Sequence, residues 1–266
     1  SELHGPLEAN PFAVASFYDM LLDNAFGNFR QLLEDVTLHP AMGVYLSMLG
    51  NRRPDPEEGV RADENYAREI MQLFTVGLVE LEQDGMPRLD AEGRAIATYN
   101  LDDIKHLARV FTGWFFAGVE SFWDWQPNWL EPMEPYEFFH DRDAKTIIGG
   151  VEIPAGLSAE EDLTRALDVL FNHPNVGPFI GKQLIQRLVS SNPSPEYVAR
   201  VAAVFADNGA GERGDLQATI RAVLLDPEAR QGHVEAPERF GKLREPLLRV
   251  THLWRLFNGR SESGVY

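Results

Sequence analysis

The sequence predicts a mainly helical protein with one or two small β-hairpins and one long aromatic-rich loop. Apolar residues recur at the i, i+3, i+4, i+7 spacing of helices along most of the 266 residues. Those stretches open at Asn, Asp or Ser, often with Pro next, and stop at Gly or before Pro. The spacing fails across residues 115–157, where aromatics crowd together and a Gly-Gly pair sits between β-branched residues. Counting starts and stops gives about nine or ten helices. The pattern reads as a single helical domain over residues 1–266, with a loop-and-hairpin excursion at residues 115–157.

Asn10-Pro11 reads as a cap and first-turn proline for a helix carrying Phe12, Phe17, Met20, Leu21 and Leu22, ended at Gly27. Phe29, Leu32, Leu33 and Val36 mark a second helix, stopped at His39-Pro40. A short third one holds Met42, Tyr45, Leu46 and Leu49, with Gly50 beyond it. Residues 51–61 are a polar, proline-bearing loop. Asp63 caps a helix to about Thr75, with Gly77 as its stop. Asp84-Gly85 and Glu92-Gly93 put a hairpin or irregular excursion between Leu78 and Tyr99. Asn100 or Asp102 opens the helix of Ile104, Leu107, Val110, Phe111 and Trp114.

Residues 115–139 fit neither period and read as a long loop, a feature that in compact proteins is often functional. Lys145–Ile148 and Val151–Ile153 flank Gly149-Gly150 as a hairpin. Ser158 with Glu161 forms a capping box for Leu163, Leu167, Leu170 and Phe171. Further helices start at Pro174, at Ser194-Pro195 and at Asp215, the last ending at Asp226-Pro227. A final one covers about Glu245 to Phe257.

Lys and Arg total 24 against 41 Asp and Glu, a net charge of −17 that argues against general affinity for nucleic acid or anionic membrane. With no Cys, thiolate nucleophiles, disulfides and Cys-ligated zinc are excluded. No apolar run reaches the roughly 20 residues of a membrane span, and no signal peptide is visible. The first residue is Ser1, so the sequence reads as a processed or trimmed piece of something longer.

The helix from Asp63 is the richest in chemistry. Tyr66, Ala67, Ile70, Met71, Leu73 and Phe74 make a broad apolar face, leaving Asn65 and Glu69 four apart and Arg68 four after Glu64. On so apolar a helix, Glu69 or Arg68 is expected partly buried and paired. That carboxylate is either catalytic or metal-binding, or an ion pair to an arginine such as Arg187 or Arg244. His140, Asp141, Asp143 and Lys145 could bind a divalent ion, but their spacing matches no zinc or calcium loop; a polar lead-in to the hairpin is the plainer reading. His39 and His173, each before a proline, read as end-caps, and the acids around Asp84 and Glu92 as turn formers. Neither an HExxH nor a G-x-S-x-G motif is present.

Trp123, Trp125 and Trp129, with Asp124, Glu131 and Glu134 beside them, suggest a platform on which a sugar ring or polymer stacks while the acids bond its hydroxyls. A satellite core of folded-back aromatics and a protein interface are the competing readings. Arg239, Lys242, Arg244, Arg249, Arg255 and Arg260 make a basic stretch that either pairs with acidic helices or meets an anionic partner.

Seven blocks in order resemble one family: AFGNFRQLLEDVTLHPAMGVYLSMLGNR, DENYAREIMQLFTVGL, TYNLDDIKHLARVFTGW, HDRDAKTIIGG, HPNVGPFIGKQLIQRLVSSNPSPEYVARVAAVF, GERGDLQATIRAVLLDPEAR and GKLREPLLR. They resemble the bacterial domain-of-unknown-function 1800 family (DUF1800) over most of the chain. The resemblance implies a helical, exported protein, periplasmic or extracellular, whose relatives often begin with an export signal and are encoded beside a sulfatase-like companion. It does not supply an activity, and the cofactor stays unknown. Its motif positions here are Asn65, Arg68 and Glu69; Tyr99, Asp103, Thr112, Gly113 and Trp114; His140 and Lys145; Arg187 and Asn192; and Lys242, Arg244 and Glu245.

Two functions follow as expectations. The first is an accessory binding or assembly protein of the envelope or extracellular space, whose partner is the sulfatase-like companion or an envelope polysaccharide or protein. Trp123, Trp125, Trp129, Asn65, Arg68 and Arg244 would be its ligand-binding residues, with no metal. The second is a hydrolase whose acid–base site joins Glu69, Asp103, His140 and Arg187.

Overall fold

The computed structural model describes residues 5–260. Short helices α1 (Pro6–Ala9) and α2 (Pro11–Asp23) lead into α3 (Phe29–Leu38) and α4 (Pro40–Tyr45). Helix α5 (Asn65–Glu69) continues directly as a π-helix, Ile70–Thr75, and α6 (Leu101–Val110) follows. Strand β1 (Trp114–Phe115) pairs antiparallel with β2 (Glu134–Pro135), and β3 (Lys145–Ile147) with β4 (Val151–Ile153). The rest is helical: α7 (Ala159–Asn172), α8 (Val176–Leu188), α9 (Pro195–Ala206), α10 (Leu216–Leu225), α11 (Pro227–Glu235) and α12 (Pro246–Leu256).

Several helix starts obey the capping chemistry in the sequence, but Asn10, expected to cap α2, makes no side-chain cap bond and donates to the Pro6 carbonyl instead. Asn100 accepts from the Asp102 and Asp103 amides while Asp103 answers the Asn100 amide, a complete capping box. Ser158 and Glu161 form the second. Ser194 caps α9 ahead of Pro195, and Asp215 caps α10 through the Ala218 amide. The hairpin at Gly149-Gly150 is present because both glycines hold positive φ, 73° and 71°, at little steric cost.

Four local expectations need correction. The helix from Asp63 does not run as one α-helix: it widens at Ile70, where the Thr75 hydroxyl bonds the Ile70 carbonyl five residues back. The third helix stops at Tyr45, because Ser47 takes a positive φ of 60° and turns the chain before Leu49. Asp226-Pro227 ends α10 but also opens α11, with Asp226 capping the Glu228 amide. The helix opened at Asn100 stops at Val110, so Trp114 falls in β1 rather than on the helix. Residues 78–99 form the expected irregular excursion, with bridges at Val79–Ala97, Leu81–Pro87 and Leu89–Ala95.

Helix α6 is central to the largest core. Its Ile104, Leu107 and Val110 pack with Ile70 and Met71 of the π-helix, Ile147 of β3 and Leu167 of α7. A second cluster gathers Phe115, Phe116, Phe122 and Trp129 of the aromatic loop with Leu7 and Ala13. Burial of each such side chain contributes about 1.5–3 kcal/mol. Ile185, Tyr197, Val201 and Val223 form a third cluster between α8, α9 and α10. Among the described residues no helix is long and apolar enough to cross a membrane.

Candidate functional site

Charged side chains do meet inside the bundle, where the hairpin packs on α6 and α7. Lys145, the first residue of β3, and Asp162, in the first turn of α7, are sealed from solvent and joined at 2.5 Å. Lys145 Nζ also donates to the Asp141 carbonyl at 2.6 Å and the Asp143 carbonyl at 2.9 Å. An ammonium has three donors, and all three are used. His140, also sealed, puts Nε2 3.1 Å from the same Asp162 oxygen and Nδ1 2.9 Å from the Thr112 carbonyl. A carbonyl only accepts, so Nδ1 is the donor. Arg109 of α6 grips Asp141 with two bonds of 2.8 and 2.9 Å. Burial alone would push the Asp141 carboxyl up. The hydrogen bonds from Arg109 and the Asp143 amide, with the charges of Arg109 and Lys145, outweigh it and hold the carboxyl below its ordinary range. Asp162 Oδ1 has no partner among the described residues.

The expected acid–base residues are not joined to one another. Asp103 is spent on its capping box. Arg187 pairs with Glu245 at 2.8 Å on the surface. Arg68 pairs with Glu64 at 3.2 Å at the head of α5, and among the described residues no ion pair joins Glu69 to Arg187 or Arg244. Half-buried Glu69 acts on Tyr99: burial pushes that phenol up, Arg68 pulls it back and Glu69 adds to the rise. The Tyr99 hydroxyl is buried and has no hydrogen-bond partner among the described residues. Among the described residues no hydrogen bond or ion pair links any two of Glu69, Asp103, His140 and Arg187. Tyr99 and Asp103 share an open hollow of about 490 Å³ with His106, Thr146 and Gly149. Asn65 is exposed at the head of α5, and Arg244 is exposed beside His252 at 3.4 Å. His39 and His173 stand as the C-caps of α3 and α7, as expected, and their rings also accept from the Ala41 and Asn175 amides just beyond. Asp84 and Asp90 accept backbone amides of their own turns. Among the described residues no group of three or more His, Asp or Glu is placed to hold a metal ion.

The aromatic loop divides into anchors and a platform. Trp129 is 8% exposed and packs edge-on to Phe116 at 5.2 Å. Trp123 and Trp125 are 58% and 51% exposed. Trp123 stands edge-on to buried Phe122 at 4.8 Å, and Trp125 edge-on to buried Phe116 at 5.1 Å. Phe138, 72% exposed, continues the apolar surface through Phe139. Arg52 lies over the Trp123 ring at 5.8 Å and Arg53 over Phe138 at 5.1 Å. Asp124 and Gln126, bonded to each other at 2.7 Å, supply polar groups between the two exposed tryptophans.

Residues 6–264 match the family model described as a protein of unknown function, DUF1800. The chain belongs to the DUF1800 family. No curated protein and no solved structure matches it. In this DUF1800 chain the family blocks supply most of the sealed network: Arg109 and Thr112 come from one, and His140, Asp141 and Lys145 from another. Asp162 lies between blocks, just after the Ser158–Glu161 capping box. Its burial and its two partners are set by the crossing of α7 over the hairpin, which leaves no local mark. Arg52 and Arg53 fall in the polar, proline-bearing loop of residues 51–61. The doubled arginine is a signal, but its aromatic neighbours are 71 and 85 residues away in sequence.

Proposed function

We propose that this DUF1800 protein is an accessory binding or assembly protein of the cell envelope or extracellular space, and that it holds a hydroxyl-rich polymer on Trp123, Trp125 and Phe138. One observation carries the reading. Two tryptophans stand half exposed while the aromatics beneath them are buried and fix their edges. Large aromatic surface left in water is costly unless something covers it. A sugar ring offers a flat face of C–H groups to such rings and a rim of hydroxyls to Arg52, Asp124 and Gln126. The binding surface is thus preformed, which lowers the ordering cost of association. The periplasmic or extracellular location and the sulfatase-like companion as a protein partner are supported by the family resemblance. The hydrolytic alternative needs Glu69, Asp103, His140 and Arg187 around one cleft, and no observation favours it.

The test is electrophoresis through gels containing a neutral polysaccharide, with cellulose derivatives, xylan and galactomannan as the panel. Retardation of the wild type by at least one polymer, and its loss in Trp123→Ala/Trp125→Ala with unchanged melting temperature, is the expected result. Unretarded wild type across the panel, or a double variant retarded like the wild type, overturns the proposal.

A further inference from the structure

Two helices at opposite ends of the described chain each leave an apolar stripe in water. On α2, Pro11, Val14, Ala15, Tyr18 and Leu22 follow the i, i+3, i+4, i+7, i+11 rule of a single helix face. With Leu7 of α1, the first four of them floor a shallow groove whose two acidic members are Glu8 and Asp19. Tyr18 is 63% and Leu22 59% exposed, and α2 contains no basic residue. On α12, Leu247, Val250, Leu253 and Phe257 at its end share one face, and no residue of the helix is buried. On a helical projection Arg249 falls to one side of that stripe and Arg255 to the other. Among the described residues neither arginine is in an ion pair, and neither are Glu8 and Asp19.

The two faces match in kind and are opposite in charge. Each is a stripe about three turns long, one rimmed by carboxylates and the other by guanidinium groups. Both stripes lie in a chain whose remaining charge is strongly acidic, so α12 is the basic element that an acidic surface attracts. An α12–α12 pairing would set arginine rims against each other, and an α2–α2 pairing would do the same with acids. We propose that α12 of one copy docks into the α1–α2 groove of a second copy, a head-to-tail contact in which Arg249 and Arg255 face Glu8 and Asp19. Because the two patches differ, the contact repeats from copy to copy, and it closes into a ring or extends as a chain according to the rotation between neighbours.

Sedimentation velocity of the full chain over a wide concentration range tests this. The expected wild-type result is an average mass that rises with protein concentration and falls back as salt screens the rims. Arg249→Glu/Arg255→Glu alone and Glu8→Lys/Asp19→Lys alone are expected to stay monomeric, because each sets like charges face to face. Mixed in equal amounts they are expected to associate again, since both kinds of contact in the mixture pair opposite charges. All four positions are exposed, and an unchanged circular dichroism spectrum and melting temperature check that each variant is folded. A wild type that is monomeric throughout overturns the proposal. So does association of either variant on its own, including the case in which only the α12 substitutions matter. A mixture that stays monomeric overturns it as well.

Discussion

Lys145 Nζ lies 2.5 Å from Asp162 Oδ2, with neither side chain reached by solvent. The pair ties the hairpin to the first turn of α7, while His140, bonded to the same carboxylate, ties in the segment after α6. All three donors of the Lys145 ammonium are committed, so this side chain holds the hairpin and α7 in place.

Removing one member should therefore be far worse than removing two. Lys145→Met leaves Asp162 buried without its main counter-charge, and a loss of about 3–5 kcal/mol is expected. Lys145→Met/Asp162→Leu removes both charges and should recover a large part of that loss. Urea denaturation of the wild type, both single variants and the double variant gives the coupling directly. Additive losses in the double variant would show that the pair is not a unit.

Stability should fall as pH drops below neutrality. Burial lowers the pKa of His39 from the ordinary 6.5, with the Ser16 contact opposing, and burial lowers His173 too. The unfolded chain thus takes up protons at a higher pH than the folded one. The contribution of each neutral ring is complete above pH 6.5 and drains away as pH falls toward its folded value. Melting temperatures measured from mildly alkaline to mildly acidic pH should decline on the acidic side. His39→Asn keeps a helix-capping acceptor but cannot titrate there, so its decline should be shallower. Equal slopes for the two proteins would exclude His39 as a source.

Much of the fold is legible in the sequence because it is locally encoded. Asn100 with Asp103, Ser158 with Glu161 and Gly149-Gly150 announce caps and a turn within four residues, and each is present. The site is less legible because it depends on crossings. The capping box with Ser158 accounts for Glu161. Nothing nearby tells Asp162 from Glu160, yet Asp162 bonds inward to His140 and Lys145. The π-helix is hidden for a related reason. Ile70 to Thr75 has good helical composition, and the wider turn depends on packing with the rest of the core. The tryptophans look alike in sequence, but the β1–β2 pairing and the Phe115–Phe122 cluster decide that Trp129 is buried and Trp123 is not.

Gly113 and Gly93 both hold positive φ, 86° and 78°, yet alanine should affect them very differently. Around Gly93 an added methyl group meets nothing within 4 Å, so the cost is the backbone conformation alone, about 1–2 kcal/mol. At Gly113 the same methyl would sit 2.9 Å from the His140 backbone nitrogen, on the segment that carries the sealed network. Neither backbone can move easily: the Gly113 amide is bonded to the Asn51 carbonyl and its own carbonyl to the Tyr136 amide, while the His140 amide is bonded to the Glu137 carbonyl. Gly113→Ala should cost at least about 3 kcal/mol, strain and displacement together. Equal melting temperatures for the two variants would mean that this junction gives way more readily than its hydrogen bonds indicate.

The anchors and the platform of the aromatic loop should separate by mutation. Phe122 is buried, stacks on Phe139 at a centroid distance of 4.2 Å and supports Trp123 from the side. Phe122→Ala should cost about 3–5 kcal/mol, because the cavity it leaves lies among rings that cannot all close in. With its support gone, Trp123 should also lose its fixed orientation, so polymer binding falls even where the protein remains folded. Trp123→Ala removes a ring that is mostly in water and should change stability by less than about 1 kcal/mol while still abolishing binding. Phe122→Leu keeps most of the volume without the flat ring, so it should restore much of the stability and less of the binding. Melting curves and gel retardation on the same three variants decide the matter. If binding tracked stability across all three, the exposed tryptophan would be acting only through the fold.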